Sequence, residues 1–219
     1  LIEAHETAWD LISNPGAFWT GAQRVAIVRE ARASLACPLC AERKDALSPN
    51  MVSGDHKAVT DLPAVLIDFI HRSRTDPGRL TKANFDSVIE LGISAQKYVE
   101  AVSVINSSVI VDTMHQSVDL DVPDLPQPQP GEPTGEFNRD AVDDGAWVLM
   151  SAAVEGSSQV GMPNAPNIAR AMGLVPSAVV LFFITFRPHY SLFDLPLSIS
   201  QAQAEFIASR VSALNQCFY

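Results

Sequence analysis

The chain has 219 residues and a mass of 23.6 kDa, with 47% hydrophobic residues, 18% charged residues and a mean hydropathy of +0.11. That apolar content suits one or two packed domains and excludes a disordered, collagenous or low-complexity chain. The net charge of -10 and the pI of about 4.8 disfavour a nucleic-acid surface, since a phosphate binder needs a basic face.

Taken in order, the elements read as an all-α protein. A helix is predicted through Ala4–Ile12, stopped by Asn14-Pro15-Gly16. A second starts at Thr20, whose Thr-x-x-Gln pattern with Gln23 is a capping box. Asp61, with Pro63 in the first turn, opens a helix to about Ser73, and Thr81 caps another that Gly92 closes. Ser94 opens a long helix carrying Tyr98, Val102, Ile105 and Val109 on one stripe. Its stretch Ala101–Val111 is apolar or small on nearly every side, which predicts the central buried helix. Five prolines within Pro123–Pro133 then make an extended linker or surface strap. Helices resume at Asn167–Met172, Ser177–Phe186 and Gln201 to about Asn215, and strand signals are thin. The expected organisation is a helical half at 1–121, an acidic Pro-rich linker at 122–146 and a second helical half at 147–219. Segment 112–146 holds nine acids and one base, so most of the excess negative charge is local.

The longest apolar run, Ala178–Ile184, falls well short of the ~20 residues of a spanning helix, so no membrane partner is expected. The opening residues are amphipathic, with Glu3, His5 and Glu6, and no signal peptide is legible; a cytoplasmic location is the expectation.

The window Thr20–Cys37 repeats as Ser200–Cys217 at a constant offset of 180. Both windows open with a capping box and reach a cysteine 17 residues after the cap. Ala22, Gln23, Ile27, Ala33 and Cys37 recur as Ala202, Gln203, Ile207, Ala213 and Cys217. This predicts an internal duplication.

Cys37-Pro38-Leu39-Cys40 is a C-x-x-C. With Cys37 as the cap of a new helix and Pro38 at its first position, both sulfurs meet unpaired backbone N–H groups, which favours a thiolate. A redox dithiol is the favoured reading, over an inert buried pair. A zinc site would need a second ligand pair, and no second C-x-x-C or H-x-x-H is present. No cofactor and no metal are expected.

The stretch from Ser200 to Tyr219 strongly resembles the active-site helix of AhpD-like alkylhydroperoxidases, of the carboxymuconolactone decarboxylase superfamily. Glu205 and Cys217 match the family's glutamate-to-cysteine spacing, and Asn167–Pro176 is similar to the short segment preceding its helix pair. The family's second cysteine and histidine would fall at positions 220 and 224. The first copy has both cysteines, but Val25 and Lys44 stand where the family has its glutamate and histidine. The resemblance implies an AhpD-like helical bundle in which a thiolate reduces a peroxide and the partner thiol closes a disulfide. It further implies that the second cysteine, Cys40, attacks and Cys37 resolves. A small-molecule peroxide, a thiol or protein reductant and a homo-oligomer are the expected partners, with the apolar stretch Val179–Phe186 as a candidate association face. A carboxymuconolactone decarboxylase-type lyase or isomerase and a non-catalytic AhpD-like scaffold are the rival readings.

The expected catalytic set is therefore Cys37, Cys40, Glu205, Cys217 and His115. His115 enters as a proton-relay partner for the dithiol, against a plain helix-end role. His56 reads as a loop residue within possible reach of the thiols. His71 and His189 read as surface or helix-end residues, and Glu30, Glu42 and Glu100 as solvated charges.

Overall fold

The computed structural model of the chain describes residues 1–152, 165–189 and 198–214. The described residues are mostly helical, and their only β pairing is an isolated antiparallel bridge between Val142 and Met150. The helices are α1 (Ile2–Ser13), α2 (Gly21–Ala33), α3 (Pro38–Asp45), α4 (Ala64–Thr75), α5 (Lys82–Glu90), α6 (Ala95–Ser117), α7 (Asn167–Met172), α8 (Pro176–Phe186) and α9 (Gln201–Leu214). Short 3-10 turns follow α2, α3, α4 and α8.

Local chemistry explains the boundaries. Thr20 accepts the Gln23 backbone N–H while the Gln23 side chain accepts the Thr20 N–H, so two otherwise orphaned donors are satisfied at the start of α2. Thr81 and Asn84 do the same for α5. Ser200 and Gln203 repeat the exchange at α9. The start of α4 differs from expectation: Pro63, not Asp61, is its cap.

α6 is the axis of the fold. It packs most extensively against α8, where the small Ser103 side chain allows close approach and its hydroxyl donates to the Ala178 carbonyl at 2.7 Å. One core gathers Ile12 of α1, Ile27 and Val28 of α2, Leu66 and Ile70 of α4, Val104 and Ile105 of α6, and Leu181 of α8. A second gathers Met172, Val175, Ala178 and Phe182 around Ala17 and Val99. Helices from either side of the Pro-rich segment therefore share a core. α8 turns Ala178, Leu181, Phe182, Phe183 and Thr185 into it, while Val180 remains about half exposed.

The Pro-rich segment is a strap against the helices. The Trp9 indole donates to the Asp124 carbonyl, and the Gln129, Thr134 and Gly135 N–H groups reach the carbonyls of Ser13, Gly16 and Ala17. Gly21 has no Cβ because the Ser13 and Gln129 carbonyls occupy that space.

Glu100 corrects its expected role. It is buried, not solvated: its carboxylate accepts the Phe18 N–H at 2.6 Å and faces the buried Arg24 guanidinium at 3.6 Å. A Cβ at Gly16 would collide with both of these side chains, which accounts for glycine there. Burial drives the Glu100 pKa up, partly offset by Arg24, and burial drives Arg24 down.

α9 stands apart from the repeat argument. Phe206, Ile207, Val211 and Leu214 are all exposed on it, whereas α2 is buried in the core. The two windows share their capping but not their surroundings. Among the described residues no helix is long and apolar enough to cross a membrane.

Candidate functional site: a buried dithiol with two carboxylate-held histidines

α2 ends in a 3-10 turn, and the chain then restarts as α3 with Cys37 at the cap and Pro38 at the first helical position. Proline fits there because its missing N–H would be unpaired anyway. The restart brings both thiols inside: Cys37 is 2% and Cys40 is 4% exposed, and they pack with Leu39 and Val52.

Two further elements close around them. His56, from the loop before α4, places Nδ1 3.6 Å from each sulfur. His71, on α4, places Nδ1 3.3 Å from the Cys40 sulfur. The two rings lie 4.3 Å apart. Each imidazole is held from behind by a carboxylate. The His71 Nε2 faces Glu30 Oε2 at 3.0 Å, with both side chains fully buried. The His56 Nε2 faces Asp68 Oδ1 at 2.9 Å. We assign the hydrogen to Nε2 in both rings, since a carboxylate can only accept, which points each Nδ1 at sulfur.

The carboxylates are themselves fixed. Glu30 Oε1 accepts the Val59 N–H and the Thr60 hydroxyl at 2.8 and 2.7 Å. Asp68 accepts from Arg43 on α3 and from Arg72 one turn along α4. Asp68, His71 and Arg72 fall on one face of α4 because residues three and four apart are neighbours. Arg79 donates to the carbonyls of Arg43, Lys44 and Ala46, so the far end of α3 is clamped as well.

These contacts set the charges. Burial pushes the Cys37 thiol up. The backbone N–H groups of Lys57 and Cys40 and the His56 imidazole outweigh it and bring its pKa down to about 6. The Cys40 thiol is likewise lowered, burial being overcome by His56 and His71. Burial lowers His56, but Asp68 and the two thiols dominate and raise it to about 10. Burial raises Glu30, and its bonds from Thr60, His71 and Val59 outweigh that and hold it ionised. Burial is outweighed for Asp68 too, where His56, Arg43 and Arg72 hold it far below the usual carboxylate range. The site is thus a thiolate–imidazolium cluster backed by two carboxylates. Interacting groups of this kind share their protons, so the charge belongs to the cluster and not to one atom.

A narrow cleft reaches the cluster. Its open volume is about 10 Å³, and Cys40, His56, Arg43, Arg72, Arg79 and Leu80 are among its lining residues; Cys37 is not. The two sulfurs and one ring nitrogen from each histidine all lie within 4.8 Å of one another, so the two thiols are neighbours that side-chain rotation can bring toward the ~2.05 Å of a disulfide. The same four atoms are a Cys₂His₂ donor set of the type that holds a divalent metal.

The expected residues distribute unevenly. Cys37 and Cys40 are at the centre. His115 lies elsewhere: its Nδ1 meets the Val111 carbonyl and its ring lies 5.7 Å from that of His5, which pairs with His189. Glu205 is exposed on α9, where Gln201 donates to it. Cys217 falls outside the described residues. Lys44 is exposed, and Arg43 of the preceding position is one of the cations at the site, with Arg72. Glu30 and His71, read as a solvated charge and a surface or helix-end residue, are fully buried and in contact. The overlooked signal is their position. Glu30 sits on the apolar stripe of α2 with Ile27 and Ala31, and His71 ends the run Leu66-Ile67-Asp68-Phe69-Ile70. An ionisable group on an apolar face must find a partner when it is buried. No family model matches the chain, and no curated protein or solved structure matches it either.

Proposed function

We propose that the chain is a thiol-dependent peroxidase or disulfide oxidoreductase of the AhpD-like type, acting through Cys37 and Cys40. The observation that carries this reading is the buried line Cys40–His71–Glu30, with contacts of 3.3 and 3.0 Å. It supplies the base and the orienting acid that the C-x-x-C motif lacks at positions 25 and 44.

Cys40 attacks and Cys37 resolves. Cys40 opens on the cleft, whereas Cys37 has the thiolate-stabilising backbone groups but no place in its lining. The access of Cys40 decides between them, because the peroxide has to reach the sulfur that attacks. His71 takes the Cys40 proton and holds the resulting thiolate, and Glu30 steadies the imidazolium. The thiolate attacks the nearer peroxide oxygen, the O–O bond breaks, and a proton delivered by the imidazolium lets the second oxygen leave as water or an alcohol. Cys40 is then a sulfenic acid. Cys37 attacks its sulfur, a disulfide forms, and the sulfenic oxygen leaves as water. A thiol or protein reductant restores both thiols by exchange. Association of copies, cytoplasmic location and descent from a duplicated AhpD-like helix belong to the same proposal, supported by the resemblance at Ser200–Tyr219.

The test counts thiols in denaturant after one equivalent of hydrogen peroxide, in a Cys217→Ser background. Two thiols per chain should disappear, and Cys40→Ser should abolish peroxide consumption, whereas Cys217→Ser alone should keep most of it. Unchanged thiols would remove the peroxidase reading, and turnover of an unsaturated lactone acid by the same sample would favour the lyase.

A further inference from the structure

We infer that Cys37, Cys40, His56 and His71 also form a tetrahedral site for Zn²⁺ when the thiols are reduced. The argument is geometric. Zinc bound at about 2.3 Å to sulfur and 2.0–2.1 Å to nitrogen gives a sulfur-to-nitrogen edge of about 3.5–3.6 Å in a regular tetrahedron. The cluster has such edges already: 3.6 Å for Cys37–His56, 3.6 Å for Cys40–His56 and 3.3 Å for Cys40–His71. All four donor atoms lie within 4.8 Å of one another, so the remaining edges close by at most about 1.5 Å, the nitrogen–nitrogen edge being the longest step.

The surroundings fit a metal as well as the donors do. Zinc-bound histidines characteristically donate their other ring N–H to a carboxylate, which fixes the tautomer and the ring plane. Here both do, His71 to Glu30 and His56 to Asp68. Two thiolates and two neutral imidazoles neutralise a divalent cation, and Asp68 is balanced by Arg43 and Arg72. The second ligand pair was invisible in the sequence because His56 and His71 are 15 residues apart and come from a loop and a helix, not from a short motif. Zinc, with its preference for mixed sulfur and nitrogen ligands in four-coordination, is the ion this set suits. A metal on both sulfurs and a disulfide between them exclude each other, so the ion and peroxide compete for one reduced cluster.

The site does not rest on the peroxidase reading, and its test needs no peroxide. The full chain with Cys217→Ser is reduced, freed of metal and reductant under inert gas, and titrated with Co²⁺ and then Zn²⁺ against a chromophoric chelator. One ion per chain is expected, with sulfur-to-cobalt charge-transfer bands and intense visible bands of tetrahedral cobalt, both erased by one equivalent of Zn²⁺. Cys40→Ser should abolish the spectrum. Asp68→Asn, which touches no metal, should keep one ion per chain but weaken it ~10–100-fold. Absence of tetrahedral bands in the folded wild type, checked by far-UV circular dichroism, overturns the site. So does binding that is unchanged in folded Cys40→Ser or Asp68→Asn. A chain that binds one ion but ignores peroxide rejects the peroxidase alone, and the reverse result rejects the metal site alone.

Discussion

Single buried charges do much of the organising in this chain, and each is tolerable only because of what it touches. Glu100 and Arg24 are 1% and 6% exposed, and the Glu100 Oε1 and Arg24 Nε atoms find no hydrogen-bond partner. The pair holds the turn between α1 and α2 through the Phe18 N–H rather than through an ideal salt bridge. Removing one partner leaves the other charge buried alone. Glu100→Ala should therefore cost about 3–5 kcal/mol, read as a lower urea midpoint at unchanged slope. The double variant Arg24→Met, Glu100→Leu should recover most of that loss, because an apolar pair of similar volume avoids the desolvation penalty. A double variant as unstable as the single one would mean that the Phe18 contact, not the stranded arginine, carries the effect.

At the scale of elements, the sequence was legible wherever local rules act. The capping box at Thr20, the cap at Thr81, the proline at the first position of α3, the helix Asn167–Met172 and the long Ser94 helix all appear near their predicted places. The acidic Pro-rich stretch is a strap because its backbone donors find the carbonyls around the first turn, a long-range outcome that composition narrows but does not decide. The site was half legible. Cys37 and Cys40 are a local motif, so spacing revealed them. His56 and His71 reach the sulfurs, and Glu30 reaches His71, only because α2, the loop before α4, and α4 pack together, and no local spacing encodes that. Residue type misled as well, since a glutamate is by default solvated and a histidine is only intermediate in its burial. His115 shows the converse: its place late on the buried helix is real, but that end of α6 faces His5.

Across the whole molecule, two pairs of histidines have opposite electrical habits: His56 and His71 are raised, and His5 and His189 are lowered. His5 joins α1 to the turn after α8, its Nε2 lying 2.8 Å from that of His189. Burial, then His189, then His115 hold its pKa down to about 4. An unfolded histidine takes its proton near 6.5, so between about pH 6.5 and 4 the unfolded chain binds a proton that the folded one refuses. Stability should therefore fall as the pH drops through that window. The check is the urea midpoint at about pH 7.5 and pH 5 in wild type and His5→Gln; the variant should lose less on acidification. An equal loss in both would place the sensitivity elsewhere. The exposed Phe206, Ile207, Val211 and Leu214 of α9 put a run of apolar surface in water, a feature that favours association. Light scattering should give a multiple of 23.6 kDa, and Phe206→Ser with Val211→Ser should lower it; a monomeric wild type would contradict this. The entrance to Cys40 has a quieter consequence. The cleft of about 10 Å³ holds roughly one water-sized molecule beside Cys40, and arginines anchored to Asp68, Asp76 and backbone carbonyls stiffen its walls. Such a portal grades oxidants by girth before chemistry begins. Second-order rate constants should descend from hydrogen peroxide through tert-butyl hydroperoxide to cumene hydroperoxide, and Leu80→Ala should narrow the gap by speeding the bulky pair alone.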